Sequence, residues 1–437
     1  MNKTVGILTL GCKVNQYESE AIGEALSAQG FTLCAPSEVC DVYVINTCTV
    51  TAESDRKARQ FIRRALSHNP KALVAVTGCL AQTDAAGIAA IPGVDYICGN
   101  RNKMSVVSAL LSLCGQGHKN TPPIIDVPTL DGAGFETMSI CRFGRTRAYI
   151  KIEDGCESHC TYCIIPAARG EIRSKPLNAV LNEVRCLTKN GCREVVLTGI
   201  ETASWGRDLG GVTLADLLEA VDRIPGIGRV RLGSLDPTLM RPAFVERIAR
   251  LPSLAPHFHL SMQSGSDHIL ARMKRKYNRT QALSAIERLR AAIPGVQLTT
   301  DIIVGFPGET EEDFEATMDF ARRARFLMIH VFPYSKRAGT PAAAMPDQIP
   351  NAVKKQRVAA LSALAADIRA QLLDEIISKG EPVSVLFETY ENGVAVGHTP
   401  DFIELRVPSD RPLHAITAYV LPTAKSEDGS SCIGRLI

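Results

Sequence analysis

Short apolar runs separated by amphipathic helical stretches recur along most of this 437-residue chain. That alternation restricts it to parallel sheets covered by helices, because parallel strands need crossover connections. Near the amino terminus residues 5–10, 42–46, 73–77 and 96–97 read as strands, with helices over 15–28 and 52–67. These predict a parallel-sheet α/β domain over residues 1–114. Residues 115–140 carry Gly115, Gly117, the Pro122–Pro123 pair and a 131–134 DGAG run, and read as an irregular connector. The alternation then resumes with strands over 148–152, 194–198, 229–233, 257–261, 297–304 and 328–332, and with helices such as 179–189 and 280–292. Six βα units suit a partial (β/α)6 barrel spanning 141–374. A helix over 351–378 ends at Gly380, and the periodicity changes beyond it. Five short strands, 383–388, 394–396, 403–407, 415–421 and 432–436, predict a small β-barrel over 375–437, with residues 422–431 as a polar, mobile loop. The expected fold class is α/β, with that small all-β domain at its end.

Cysteines mark the chemistry. Cys156, Cys160 and Cys163 stand in a C-x3-C-x2-C pattern within DGCESHCTYCIIPAARG, just past the first barrel strand. Barrel enzymes place their sites on that carboxyl face. A structural zinc site needs four closed ligands, and no fourth cysteine or well-spaced histidine follows; His159 sits inside the loop and would close it awkwardly. Three thiolates suit an iron–sulfur cluster with one iron left open to a small molecule, and the competing reading is a zinc or disulfide knuckle. Cys12, Cys48 and Cys79 each follow a strand of the first domain by one or two residues. Loops leaving the carboxyl ends of parallel strands gather at one edge, so these thiols converge on one site; otherwise they are small buried core residues. Cys34, Cys40, Cys98 and Cys114 lack that placement and read as core. Of fourteen cysteines, six are expected to be chemical and eight inert.

A net charge of +3 permits a nucleic-acid partner without requiring one. No apolar run is long enough to span a bilayer, and the first residues lack the apolar stretch of a secretory signal. A cytoplasmic protein is expected, in which a reducing environment favours metal or catalytic cysteines over disulfides. Arg142, Arg145, Arg147 and Lys151 form a cationic run that reads either as a solvated strand face or as a phosphate contact. The stretch RMKRKYNR, residues 272–279, reads either as an RNA-backbone contact or as an exposed helix end.

Other strand ends supply candidates for holding a cofactor: Gly199 and Glu201 in LTGIE, Ser234 in LGSLDP, Gln263 and Ser264 in HLSMQSGS, and Gly305 in DIIVGFPGET. Glycine lets backbone approach a ligand, and Gln263, Ser234 and Ser264 offer hydrogen bonds. Asp301 begins its strand and is expected away from the active face.

The Cys156–Cys163 loop resembles that of the radical SAM superfamily. The resemblance implies a [4Fe–4S] cluster whose open iron binds S-adenosylmethionine (SAM) and cleaves it reductively, with Tyr162 near the bound SAM. LGCKVNQYES, NTCTVTAESDRKARQ and TGCLAQ resemble the three signatures of the methylthiotransferase amino-terminal domain. They imply a second, auxiliary [4Fe–4S] cluster on Cys12, Cys48 and Cys79, carrying the sulfur to be transferred. HVFPYSKRAGTPAA, residues 330–344, resembles the segment that follows the last barrel strand in that family, and the terminal strands resemble its RNA-binding TRAM domain. The resemblance is strongest to the group acting on N6-threonylcarbamoyladenosine in tRNA; isopentenyladenosine in tRNA and a ribosomal-protein aspartate are the alternatives within the family. A non-catalytic, zinc-containing RNA-binding protein is the alternative outside it. Implied partners are a tRNA anticodon loop, an electron donor such as flavodoxin or ferredoxin, and a sulfur source, with no membrane. The resemblance implies two SAM molecules, one as methyl donor and one as radical source, and no general base is expected. Two positions depart from the family pattern: Met262 stands for a leucine, a nearly isosteric change, and ETASWG places Trp205 where a tyrosine is usual, in a position to reshape the substrate mouth.

Overall fold

The computed structural model describes residues 3–116 and 122–437, so Gly117 of the expected connector lies outside the described residues. The first domain is one parallel sheet in the order Thr32–Cys34, Thr4–Thr9, Val42–Thr47, Leu73–Gly78, Tyr96–Cys98, Ile124–Asp126. Val42–Thr47 and Leu73–Gly78 are buried at every position, which is why they read as unbroken apolar runs. Helices Lys13–Ala28 and Ala52–His68 cover the sheet, the second started by the Thr51 side chain accepting from the Ser54 N–H. Thr32–Cys34 and Ile124–Asp126 are three-residue edge strands, too short to show a period. The second of these corrects the reading of 115–140 as irregular, since it pairs in parallel with Tyr96–Cys98.

The partial barrel has its six βα units, with the third strand split. Arg229–Leu232 pairs with Glu194–Thr198 and Ala148–Lys151, whereas Ser234–Leu235 opens a second sheet with His257–Gln263, Gln297–Val304 and Met328–Pro333. The break falls at Gly233, where a Cβ would lie 2.9 Å from Thr198 Oγ1. Helix Asn351–Lys379 ends on Gly380 (φ 62°) and leads into a closed five-stranded barrel. There, strand Thr417–Lys425 runs into the segment expected as a loop. The turn beyond it is tied by Ser426 N–H to Ser431 O (2.9 Å) and by Asp428, which accepts from Ser426 and Ser430. A tied hairpin therefore replaces the mobile loop.

This small barrel docks against the first residues of the large barrel's strands. Phe402 (φ 74°) stacks between His257 and His398, with ring centroids 4.6 and 4.7 Å away. The guanidinium groups of Arg231 and Arg147 lie over the same ring. Arg147 also pairs with Glu388 of the small barrel and with Glu194, and Lys151 is buried against Glu18 and Asp154. Half of the cationic run is thus internal ion pairing rather than a solvated face or a phosphate contact. Cys141 and Cys186 form a disulfide with a Cα–Cα distance of 5.2 Å. This corrects the expectation that all cysteines outside the six would be inert thiols. No helix among the described residues is long and apolar enough to cross a membrane.

Candidate functional site: two cysteine triads at a domain junction

The topology brings Cys12, Cys48 and Cys79 to one sheet edge. Cys12 caps helix Lys13–Ala28, Cys48 follows Val42–Thr47, and Cys79 begins the helix after Leu73–Gly78. Close approach depends on two left-handed glycines. A Cβ on Gly11 (φ 101°) would lie 3.0 Å from Cys48 Sγ, and one on Gly78 (φ 101°) would lie 2.3 Å from Thr47 O. Asn15 ties the loops together by donating to Leu10 O (2.7 Å) and Thr47 O (3.0 Å). Burial pushes the Cys48 thiol up to about 11, with Cys79 and Cys12 adding to the rise. The three thiols are therefore electrostatic neighbours.

In the second loop, Cys156 N–H donates to Gly170 O and Cys163 N–H to Cys160 O, both at 3.0 Å. Burial raises the thiols of Cys156 and Cys163, the latter to about 11. Holding them as thiolates takes a positive charge of the kind a metal centre brings. His159 is exposed in the left-handed region (φ 47°) and is turned to solvent, not in the thiol pocket.

The spacing of the thiols separates the two metal readings. Tetrahedral zinc at 2.3 Å would hold its sulfurs about 3.8 Å apart. Among the described residues only His259, Asp301 and His330 bring three ligand atoms within 4.8 Å of one another. Both cysteine triads are wider than a single ion needs, which fits a larger inorganic cluster.

Each triad is served by one buried arginine that the sequence did not single out. Arg169 Nε donates to Cys79 Sγ at 3.3 Å, while its other nitrogens reach Glu18 (2.6 Å), Asn15 (2.6 Å) and Asp154 (3.2 Å). It closes the helix that follows the Cys156–Cys163 loop, so one side chain joins both cysteine sites. Although burial opposes it, Arg169, Lys103 and Lys151 hold Glu18 well below the usual carboxylate range. Arg275 Nη1 donates to Cys160 Sγ at 3.3 Å and its Nη2 to Asp236 at 2.8 Å. Arg275 belongs to RMKRKYNR, where Arg272 donates to Pro307 O, Lys276 to Ser158 and Arg279 pairs with Asp319. Four of the five cations in that stretch have partners within the protein. Arg337, in the segment after the last barrel strand, pairs with Asp55 and Thr49 beside Cys48.

The remaining candidates divide. Glu201 accepts from Cys156 Sγ (3.1 Å) and Ser158 Oγ (3.0 Å), and its own N–H donates to Glu153. Gly199 packs against Glu153, where a Cβ would lie 2.5 Å from Oε2. Tyr162 packs against a cluster that includes Phe306 and Tyr334, and burial raises its phenol, with Arg275, Cys160 and Cys163 as neighbours. Gln263 sits at φ 65° at a register shift, a strained position of the kind that collects at ligand sites. Ser234 is exposed at its strand end. Ser264 is buried and contacts Thr317, and Gly305 donates to Glu309 under Lys354, so packing accounts for both. Trp205 is buried, with Nε1 donating to Lys175 O at 3.0 Å, and it lines a cavity that also includes Glu201, Asp236 and Lys276.

Residues 150–321 match the family described as the radical SAM superfamily, and residues 4–99 the one described as "Uncharacterized protein family UPF0004". The chain is 41% identical over 412 residues to threonylcarbamoyladenosine tRNA methylthiotransferase MtaB of Bacillus subtilis, covering 92% of this chain and 90% of that one. It is 38% identical over 404 residues to the protein of the same name from Thermotoga maritima, covering 92% and 91%. Identity to tRNA-2-methylthio-N(6)-dimethylallyladenosine synthase of Carboxydothermus hydrogenoformans is 37% over 377 residues, 85% of each chain. In fold it resembles the radical SAM methyltransferase TsrM of Kitasatospora setae, with a TM-score of 0.56 and 16% identity over 78% of this chain and 77% of that one.

Proposed function

The chain belongs to the methylthiotransferase family, and on that footing we propose that it converts N6-threonylcarbamoyladenosine beside the tRNA anticodon to its 2-methylthio derivative. The observation that carries this reading is the junction itself, where Arg169 bonds one cysteine of the first triad and the acidic residue at the root of the second. Cys156, Cys160 and Cys163 hold one [4Fe–4S] cluster, and Cys12, Cys48 and Cys79 the other. Bound there, the clusters and SAM supply reductive cleavage and the sulfur and methyl to be transferred.

The protein's own residues position and enclose. Tyr162, Gly199, Glu201, Ser234 and Gln263 surround the open side of the Cys156–Cys163 loop as the SAM-facing set. Arg275 and Arg169 direct hydrogen bonds at cluster thiolates, the outer-shell contacts that tune such centres. The target base lies in a single-stranded loop and leaves its stack to reach between the triads. A flavodoxin- or ferredoxin-type donor supplies electrons, a separate source supplies sulfur, and the enzyme works in the cytoplasm.

Anaerobic reconstitution tests this. We expect about eight irons per chain, four at each three-thiolate site, and methylthiolation of an anticodon stem-loop carrying the threonylcarbamoyl group. Cys12→Ala should abolish sulfur insertion while SAM cleavage survives, and Cys156→Ala should abolish both. Zinc without iron, or a product unchanged from substrate, would overturn it.

A further inference from the structure

Beside the Cys156–Cys163 loop, two cavities share a wall on the carboxyl side of the partial barrel. The inner one, about 670 Å3, is lined by Glu201 and Trp205, which follow strand Glu194–Thr198, and by Asp236, Arg241 and Lys276. The outer one, about 470 Å3, continues from it through Thr238, Arg241 and Lys276, which line both, and runs along helix Arg279–Ala292 as far as Arg288. Together they make one groove that starts at the cysteine loop and leads away along that helix.

The charge of this groove is one-sided. Arg207, Arg241, Lys276 and Arg288 line it without an ion-pair partner among the described residues. Lys276 donates to the Ser158 hydroxyl at 3.2 Å and Arg288 to the Met240 carbonyl, neutral acceptors that leave each charge uncompensated. A fifth cation, Arg247, is answered by Asp216 and Glu219. Among the described residues the lining holds two acids, Glu201 and Asp236, and both are engaged with the cysteine loop. Glu201 accepts from Cys156 Sγ and Ser158 Oγ, and Asp236 pairs with Arg275, which donates to Cys160 Sγ. Four free cations spread along two joined cavities suit a chain of successive phosphates better than one small anion. The inner cavity also carries an apolar wall of Leu214, Leu239 and Phe244, so a base can lie against carbon while its phosphate meets an arginine.

Resting on the function proposed above, we propose that this groove carries the sugar–phosphate backbone of the tRNA anticodon loop. Arg207, Arg241, Lys276 and Arg288 are its phosphate contacts. Lys276 joins the groove to the cysteine loop through Ser158, so a strand held there brings its neighbouring base to Cys156–Cys163. Such contacts set affinity and register and carry no base sequence.

The test uses reconstituted full-length enzyme and fluorescence anisotropy with a labelled anticodon stem-loop carrying threonylcarbamoyladenosine, at several salt concentrations. The double variant Arg207→Gln/Arg241→Gln removes two free charges at exposed positions outside both cysteine triads. Each phosphate contact on a single strand contributes about 0.7 to the salt slope. The double variant should therefore lower the slope by about 1.4 and bind roughly twentyfold more weakly at about 0.1 M salt. Its iron content should be unchanged, and so should 5′-deoxyadenosine release under a chemical reductant. The matched control is Arg223→Gln/Arg250→Gln. These are exposed arginines just past the carboxyl ends of helices Leu214–Asp222 and Pro242–Ile248, whose amino ends line the groove. The control should bind as wild type. Wild-type affinity and slope in the groove variant would overturn the proposal, as would equal weakening by the control. So would a groove variant that binds RNA normally but loses SAM cleavage driven by a flavodoxin-type donor, which would make the groove a protein-docking face. Failure of the functional reading would look different: wild-type enzyme would leave the threonylcarbamoyl stem-loop unmodified, while the groove variant still lost RNA affinity.

Discussion

Arg169 Nε donates to Cys79 Sγ at 3.3 Å while the same guanidinium holds Asp154, two residues before Cys156. One buried side chain thereby fixes the register between two cysteine sites built on different domains. A donor aimed at a ligating thiolate stabilises the more negative, reduced state of a cluster. Arg169→Lys keeps the charge and loses the fork, so the cluster on Cys12, Cys48 and Cys79 should become harder to reduce. We expect roughly a tenfold change in the reduced fraction at fixed potential, about 59 mV for one electron, read by an EPR-monitored redox titration. The cluster on Cys156, Cys160 and Cys163 should keep its potential.

Gly78 offers a steric test of the first triad. Alanine there would set its Cβ 2.3 Å from Thr47 O, at φ 101°, and must displace either Cys48 or Cys79. Gly78→Ala should reconstitute with about four irons instead of eight and retain SAM cleavage, as measured by iron analysis and release of 5′-deoxyadenosine.

Glu20 gives a pH dependence. Burial raises its carboxyl to about 7, against the opposing effect of Arg145. A carboxyl raised in the folded state favours folding while it is protonated, so its contribution is full below the unfolded value near 4.5 and is lost as pH rises to about 7. Glu20→Gln should match wild type near pH 4 and exceed it at pH 8 by on the order of 1–2 kcal/mol, allowing for the partial exposure of the side chain. Urea denaturation at the two pH values measures the difference.

Phe402 clamps the small barrel to the large one, stacked on His257 and His398 beneath two guanidinium groups. Phe402→Ala should cost about 2–3 kcal/mol, less than a fully buried phenylalanine because the ring is only partly enclosed. It should also hasten proteolytic cleavage after helix Asn351–Lys379 while leaving iron content intact.

Much of this architecture was legible because burial writes itself into pattern. Val42–Thr47 and Leu73–Gly78, buried on both faces, read as solid apolar runs and located Cys48 and Cys79 at strand ends. Thr32–Cys34 and Ile124–Asp126 did not register, since three residues carry no period. The cysteine spacing exposed both triads, but their arginines stayed hidden. Arg169 and Arg275 lie 90 and 115 residues from the sulfurs they touch, and a charged residue in sequence looks solvated until folding encloses it. Asp301 does not begin its strand: it is the fifth of eight residues in Gln297–Val304.

The most direct measurement is mass spectrometry of tRNA nucleosides from a strain lacking this gene, complemented with wild type or Cys12→Ala. The account predicts that 2-methylthio-N6-threonylcarbamoyladenosine disappears, its unthiolated precursor accumulates, and only the wild-type gene restores the product. An unchanged nucleoside profile in the deletion strain would contradict it.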